Sequence, residues 1–421
     1  MYTALWTAAL VACFRLASLA DSTPACVIEL ECRECVPDHM PLVTSHSAHG
    51  GRVSAAHGDE LRLACGGGAL LAYPGRGAVR AVCEHGRYRV REDGQLRHLL
   101  ELGCQEDVFE DVLHDVEHCG SPLQGRAYKT AASGAPRHLA TLCYDAERAI
   151  TRRAHAVAAP GDELHMAPHS DNFSPLTILG NFNHMFDANT RRDAEALFSD
   201  DVSANRRLRE LLKHEDIALG DQSVTAGKLL APHYFEDQNA RVTEFASNKM
   251  VMWRSVAHGN WHHLQRDVAA ALQSARRVNA SLHVFAGTHG ALGLRGRGGR
   301  ARVALRAGGR FPAPRHAWAA LVDPRGAGVA LVVLNDPFVA VSEIKDAVFC
   351  ESMCSSISWL RELRRNRNYE TPLLGLTFCC SLQNFTDVVT ELPKKIIPRL
   401  DQYSILTDLN LQESDPSRNT V

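Results

Sequence analysis

The sequence predicts an α+β protein: a small, disulfide-rich, mostly β domain ahead of a larger domain that mixes helices and strands. Three observations carry that expectation. Eight of the thirteen cysteines lie from Cys26 to Cys143, four more lie from Cys350 to Cys380, and none stands between the two groups. The first group sits among short strand-like runs punctuated by Gly and His, as turns require. From about residue 145, apolar residues begin to recur at three- and four-residue steps, the period of a helix.

Taken in order, residues 1–20 read as a signal peptide. Leu5 to Phe14 form an apolar run too short to span a bilayer, and Ser18-Leu19-Ala20 offers small-x-small cleavage before Asp21. No Lys or Arg precedes the run, and Arg15 interrupts it. Cys13 falls in this segment, leaving Cys26, Cys32, Cys35, Cys65, Cys83, Cys104, Cys119, Cys143, Cys350, Cys354, Cys379 and Cys380. An even number fits an oxidised, exported framework, so all twelve are expected in disulfides, with their pairing left open. Cys32-x-x-Cys35 also has zinc-ligand spacing, but no second close Cys or His pair follows at finger distance. The sequons at Asn172, Asn279 and Asn384 fit the same secretory route as glycosylation sites. No later stretch reaches the ~20 uncharged apolar residues of a membrane span. The expectation is a secreted, extracellular protein that does not engage a membrane.

Residues 21–144 form the expected mostly β domain, with strands at Glu60–Cys65, Ala78–Cys83 and Tyr88–Arg91. Residues 145–392 form the mixed domain. Residues 190–213 look helical, with Leu197, Leu208, Leu211 and Leu212 among dense charge. Residues 259–276 make a stronger helix, since Trp261, Leu264, Val268 and Leu272 share one face. Two apolar strands follow, Leu282–Ala286 and Val329–Leu334, with an Arg/Gly stretch at 295–310 between them. Residues 393–421 read as a polar, fraying tail. With 46 basic against 48 acidic side chains and a net charge of −2, the chain is no general nucleic-acid condenser, though a local basic patch is permitted.

The stretch from Gly227 to Gln265 resembles the DNA/RNA non-specific endonucleases. The matching residues are Gly227-Lys-Leu-Leu-Ala-Pro232, Phe235, Phe245-Ala-Ser-Asn248, Trp253, Ala257-His-Gly-Asn-Trp261 and Leu264-Gln265. The flanks are similar to the secreted double-stranded-RNA nucleases of insects. They include His57 to Cys65, Leu282 to Gly290, Pro314 to Trp318, Asn335-Asp-Pro337, and the Cys350/Cys354 and Cys379-Cys380 pattern. The resemblance covers roughly residues 26–392. It implies a ββα-metal core on a central antiparallel sheet. It also implies a His general base, one Mg²⁺ held by an Asn, a Glu ordering the metal-bound waters, and Arg on phosphate.

Carried over position by position, that chemistry is missing. The base position falls on Lys228 or Leu229, according to whether Gly227 and Phe235 or Ala231-Pro232 anchor the alignment. A lysine, titrating near ~10.4 in isolation, is protonated at neutral pH, and leucine takes no proton. The metal-ligand Asn falls on Ala257, the Glu on Gln265 and the Arg on Ala269; Asn248 and Trp261 are retained. The expectation is a pseudonuclease that binds extracellular double-stranded RNA or DNA, or a protein partner, with no cofactor. The alternative is an active Mg²⁺-dependent endonuclease with displaced groups, such as His233 as base or a metal pair from His258 and His262 beside His263. Arg295, Arg297 and Arg300 are the candidate nucleic-acid contacts, against a competing reading as a solvated hairpin. His289 in Gly287-Thr-His-Gly290 is expected in a turn.

Overall fold

In the computed structural model the described residues are 24–30, 32, 34–48, 51–130, 137–158, 188–198, 201–212, 219–220, 222–235, 237–296, 299–397 and 405–409. The expected signal peptide, Asn172 and Arg297 lie outside them. The protein is mixed α+β around one large antiparallel sheet. Its eight strands run, edge to edge, Thr377–Ser381, Gly328–Leu334, His316–Val322, Leu282–His289, Ile150–Ala158, Arg137–Asp145, Gln124–Thr130 and Phe109–Leu113. His316–Val322 and Gly328–Leu334 are buried at every position, which explains why Val329–Leu334 reads as a continuous apolar run. Side chains alternate between faces. Ala154, Val284, Ala317, Leu321 and Leu331 share one core with Leu264, Val268 and Leu272 of the helix His262–Arg277. Phe285, Trp318, Val322 and Val332 point the other way, into a core with Leu382 and Phe385 of the helix Leu382–Val388.

The large sheet begins at Phe109, so the strands 109–113, 124–130 and 137–145 belong to it although they precede the expected boundary at 144/145. Arg126 and Asp111 on these strands are buried and pair with each other inside the protein. Upstream lies a five-stranded antiparallel sheet, Leu42–Val43, Glu60–Ala64, Ala78–Glu84, Arg87–Val90 and Leu96–Arg97, with Cys26–Glu29 paired separately to Arg52–Ala55.

The twelve cysteines form six disulfides. Cys26–Cys83, Cys32–Cys35 and Cys65–Cys104 staple the small sheet region, where a short segment has little apolar area of its own to bury. Cys119–Cys143 ties the connection between Phe109–Leu113 and Gln124–Thr130 to the strand Arg137–Asp145, while Cys350–Cys380 and Cys354–Cys379 tie the 350–354 segment to the edge strand. Cys32 and Cys35 bond to each other, which removes the zinc reading of their spacing.

The helix expected over 190–213 is two, Ala188–Phe198 and Asp201–Leu212; the second buries Ala204, Leu208 and Leu212 at four-residue steps. The Arg/Gly stretch forms two hairpins, Gly293–Gly296 with Gly299–Arg302 and Ala304–Arg306 with Arg310–Pro312. The 393–421 tail is partly docked: Ile397 and Leu406 are buried, and Trp359 Nε1 donates to the Leu406 carbonyl at 3.0 Å. Among the described residues no helix is long and apolar enough to cross a membrane. Asn279 and Asn384 are both exposed.

Candidate functional site

The strands Val224–Lys228 and Lys249–Trp253 pair antiparallel as a two-stranded ribbon, with Val224 opposite Trp253 and Lys228 opposite Lys249. Gly227 permits the close packing here, because a Cβ at that position would meet the Met252 sulfur at 2.3 Å. After Trp253 the chain turns through Arg254–Val256 and a wide helical turn, Ala257–Trp261, into the long helix His262–Arg277. Gly259 lies in that turn against Leu374, whose carbonyl would stand 2.7 Å from any Cβ. Two side chains from this turn and helix clasp the ribbon's end. Trp261 Nε1 donates to the Lys228 carbonyl at 2.9 Å. Gln265 Nε2 donates to the same carbonyl at 2.8 Å and to the Leu229 carbonyl at 3.3 Å. Lys228, Trp261 and Gln265 are thus brought together.

The Lys228 ammonium is partly exposed and lies 2.5 Å from Glu244 Oε1. Lys249, on the facing strand, reaches Glu244 Oε2 at 3.3 Å. Glu244 and Lys249 are both buried. Burial holds the Lys249 amine below the ordinary lysine range; Glu244 works against that shift and Lys228 reinforces it. Leu229, the other residue at the base position, is wholly buried and packs in the core. Sequence reasoning missed Glu244 and Lys249. The available signal was two charges, Glu244 and Lys249, flanking the otherwise uncharged Phe245 to Asn248; a charge buried there requires a partner.

Asn248 is fully buried, and its amide is committed to the backbone. Oδ1 accepts from Leu230 N at 2.9 Å, while Nδ2 donates to the carbonyls of Leu230 and Thr243, each at 2.9 Å. It closes the connection between the ribbon's two strands. Next to it, Ser247 Oγ donates to Asp111 Oδ2 at 2.5 Å, and Asp111 also takes the Arg126 guanidinium, Nε to Oδ1 and Nη2 to Oδ2, both at 2.9 Å. This network bolts the ribbon to the sheet. Burial pushes the Asp111 carboxyl up, and Arg126 and Ser247 oppose the shift.

Ala257 presents a half-buried methyl, and Ala269 is wholly buried. His258 is exposed, His233 half-buried on the turn Pro232–Tyr234, and the His262 and His263 rings lie 6.2 Å apart. Among the described residues no group of three or more His, Cys, Asp or Glu is placed to hold a metal ion. His289 ends its strand, with the turn starting at Gly290, and its Nδ1 lies 2.9 Å from Glu391. Arg295 and Arg300 converge on one carboxylate oxygen of Glu343, at 2.5 and 2.7 Å. Arg306 pairs with Asp193 at 2.7 Å, and Arg310 contacts Thr190. Among the described residues, three guanidinium groups of these two hairpins, those of Arg295, Arg300 and Arg306, therefore face an internal carboxylate. No family model matches the chain, and no curated protein matches it.

Proposed function

We propose that the chain is a secreted DNA/RNA non-specific endonuclease-like protein on the ββα-metal plan, whose catalytic centre has decayed, so that it binds nucleic acid without cutting it. One observation carries the reading. The end of the ribbon and the long helix meet at Lys228, Trp261 and Gln265, where the Lys228 ammonium is tied to Glu244 and the Gln265 amide to two backbone carbonyls. Export is supported by the six disulfides, the exposed Asn279 and Asn384, and the signal-like segment 1–20.

The residues do not fit Mg²⁺. That ion prefers hard oxygen ligands in octahedral geometry. Position 257 offers a methyl, Gln265 turns its N–H groups to backbone carbonyls, and the Lys228 ammonium repels a dication. Loss of a general base alone removes typically ~10²–10⁴ in rate.

The test incubates the purified chain with duplex RNA and DNA, with Mg²⁺ or with a chelator. Binding without cleavage is expected. Chelator-sensitive cleavage would refute the reading, and its loss in His233→Ala or His258→Ala would identify a displaced base. A repair variant, Lys228→His with Ala257→Asn and Gln265→Glu, is expected to gain chelator-sensitive cleavage. A folded repair variant that still fails to cut would mean that more than these three groups has changed.

A further inference from the structure

Beside the long helix lies a second basic face. The segment from Arg361 to Glu370 contains Arg361, Arg364, Arg365 and Arg367, all exposed, while Leu363 between them is buried. Asp267 of the helix fixes its start: Oδ1 accepts from the backbone N–H of Arg361 at 3.0 Å and of Glu362 at 2.9 Å, and Oδ2 from that of Leu363 at 2.9 Å. Asn260 fixes its other end, donating from Nδ2 to the Asn368 carbonyl at 2.7 Å. The segment is therefore pinned along the turn and helix that carry Ala257 and Gln265.

Arg266 lies three residues after the half-buried His263 on the helix His262–Arg277, a spacing that puts both on one side of it, and Arg266, Arg365 and Glu362 all act on the His263 imidazole. The side chains of Arg266 and Arg361 make no ion pair among the described residues. Arg365 reaches Glu362 only at 3.7 Å, and Arg367 pairs with Glu370. Five arginines, four exposed and Arg266 half-buried, face Glu362, Glu370 and Asp267, leaving an excess of positive charge, and Arg364 also donates to the Ile357 carbonyl at 3.2 Å. Arg295 and Arg300, in contrast, already share Glu343.

We propose that this face, built from Arg361, Arg364, Arg365 and Arg266 beside His263, is where the protein grips the phosphodiester backbone of a nucleic-acid duplex. The inference rests on the nucleic-acid-binding reading above and names its surface. Guanidinium groups bind phosphate with bidentate geometry, and three backbone hydrogen bonds to Asp267 fix the main chain from which these arginines project. The choice of nucleic acid over another polyanion follows from the function proposed above.

The experiment measures anisotropy of a short labelled RNA duplex with the full chain over a salt series. The wild type is compared with Arg361→Gln/Arg365→Gln and with Arg295→Gln/Arg300→Gln. The first variant is expected to bind about tenfold more weakly at low salt, and its slope of log K against log salt to fall by about two, one per lost phosphate contact. The second is expected to bind within about twofold of the wild type. All four arginines are exposed, and unchanged thermal midpoints confirm that both variants fold. If the wild type binds and the first variant binds equally well, the proposed surface is wrong while the nucleic-acid reading stands. If the wild type binds no duplex, or binds only a sulfated polysaccharide, the nucleic-acid reading fails and takes this surface with it.

Discussion

Replacing Glu244 by glutamine isolates the electrostatics at the end of the ribbon. The carboxylate sits between two ammonium groups, and Lys249 is only 5% exposed. At 3.3 Å and an effective dielectric of about 20, the Lys249–Glu244 attraction is about 5 kcal/mol, against which both ions have lost hydration. Removing one member leaves the other charge buried and uncompensated, and such losses run to about 3–5 kcal/mol. Lys228, with its side chain partly in water, contributes little to that figure. Urea unfolding at neutral pH, followed by circular dichroism with the disulfides intact, is expected to show a deficit of that size. The deficit is expected to change with pH. The folded-state pKa of Lys249 lies below its unfolded value, so the unfolded chain binds more protons between the two, and stability rises with pH through that window. Without Glu244 to oppose burial the folded Lys249 pKa falls further, so the Glu244→Gln deficit shrinks as pH rises through the interval between the variant's folded Lys249 pKa and the wild type's, and is constant above it. Adding Lys249→Met removes both buried charges and is expected to recover most of the loss at neutral pH. A loss below about 1 kcal/mol, unchanged with pH and unaffected by Lys249→Met, would refute the argument.

Asp267 provides a second pH-dependent test. Burial raises its carboxyl to about 6, against the pull of three backbone N–H donors. The native state therefore holds a proton that the unfolded chain releases, so this contribution is full below about 4 and is lost as pH rises through about 6. Asp267→Asn is expected to flatten that part of the stability–pH curve, measured by urea midpoints between those limits; an unaltered slope would discount the shift. Among the disulfides, Cys32–Cys35 closes the shortest loop, and Cys35 is exposed while most other bonded cysteines are buried. Limited reduction followed by alkylation and peptide mapping is expected to label Cys32 and Cys35 first, and prior labelling of another pair would contradict this.

What the sequence revealed follows from how local each signal is. The period of Trp261, Leu264, Val268 and Leu272 depends on one helix, and the helix lies where it predicts. The strands at 60, 78 and 87 likewise alternate within themselves. The extent of the large sheet was not legible, because the place of Phe109–Leu113 depends on its pairing with Gln124–Thr130 and on a buried ion pair that no single segment encodes. The candidate site divides the same way. Chain order brought Lys228, Trp261 and Gln265 to notice, but the Lys249–Glu244 contact needed the ribbon's register. Asn248 shows a further limit. A retained amide looks the same in a sequence whether it serves chemistry or, as here, ties two backbone segments.

The small sheet also grips the turn that ends in Glu244. Gln238 exchanges two hydrogen bonds with the backbone of Val43, at 3.0 and 2.9 Å, and Arg241 donates to the Met40 carbonyl at 3.2 Å while its guanidinium lies over the Phe109 ring. A recombinant fragment beginning after Gly103 would strip Val43 and Met40 from a turn whose last residue holds both lysines. Handling the large-sheet half as an independent module would thus perturb the very groups under study, and biochemical work belongs with the intact chain.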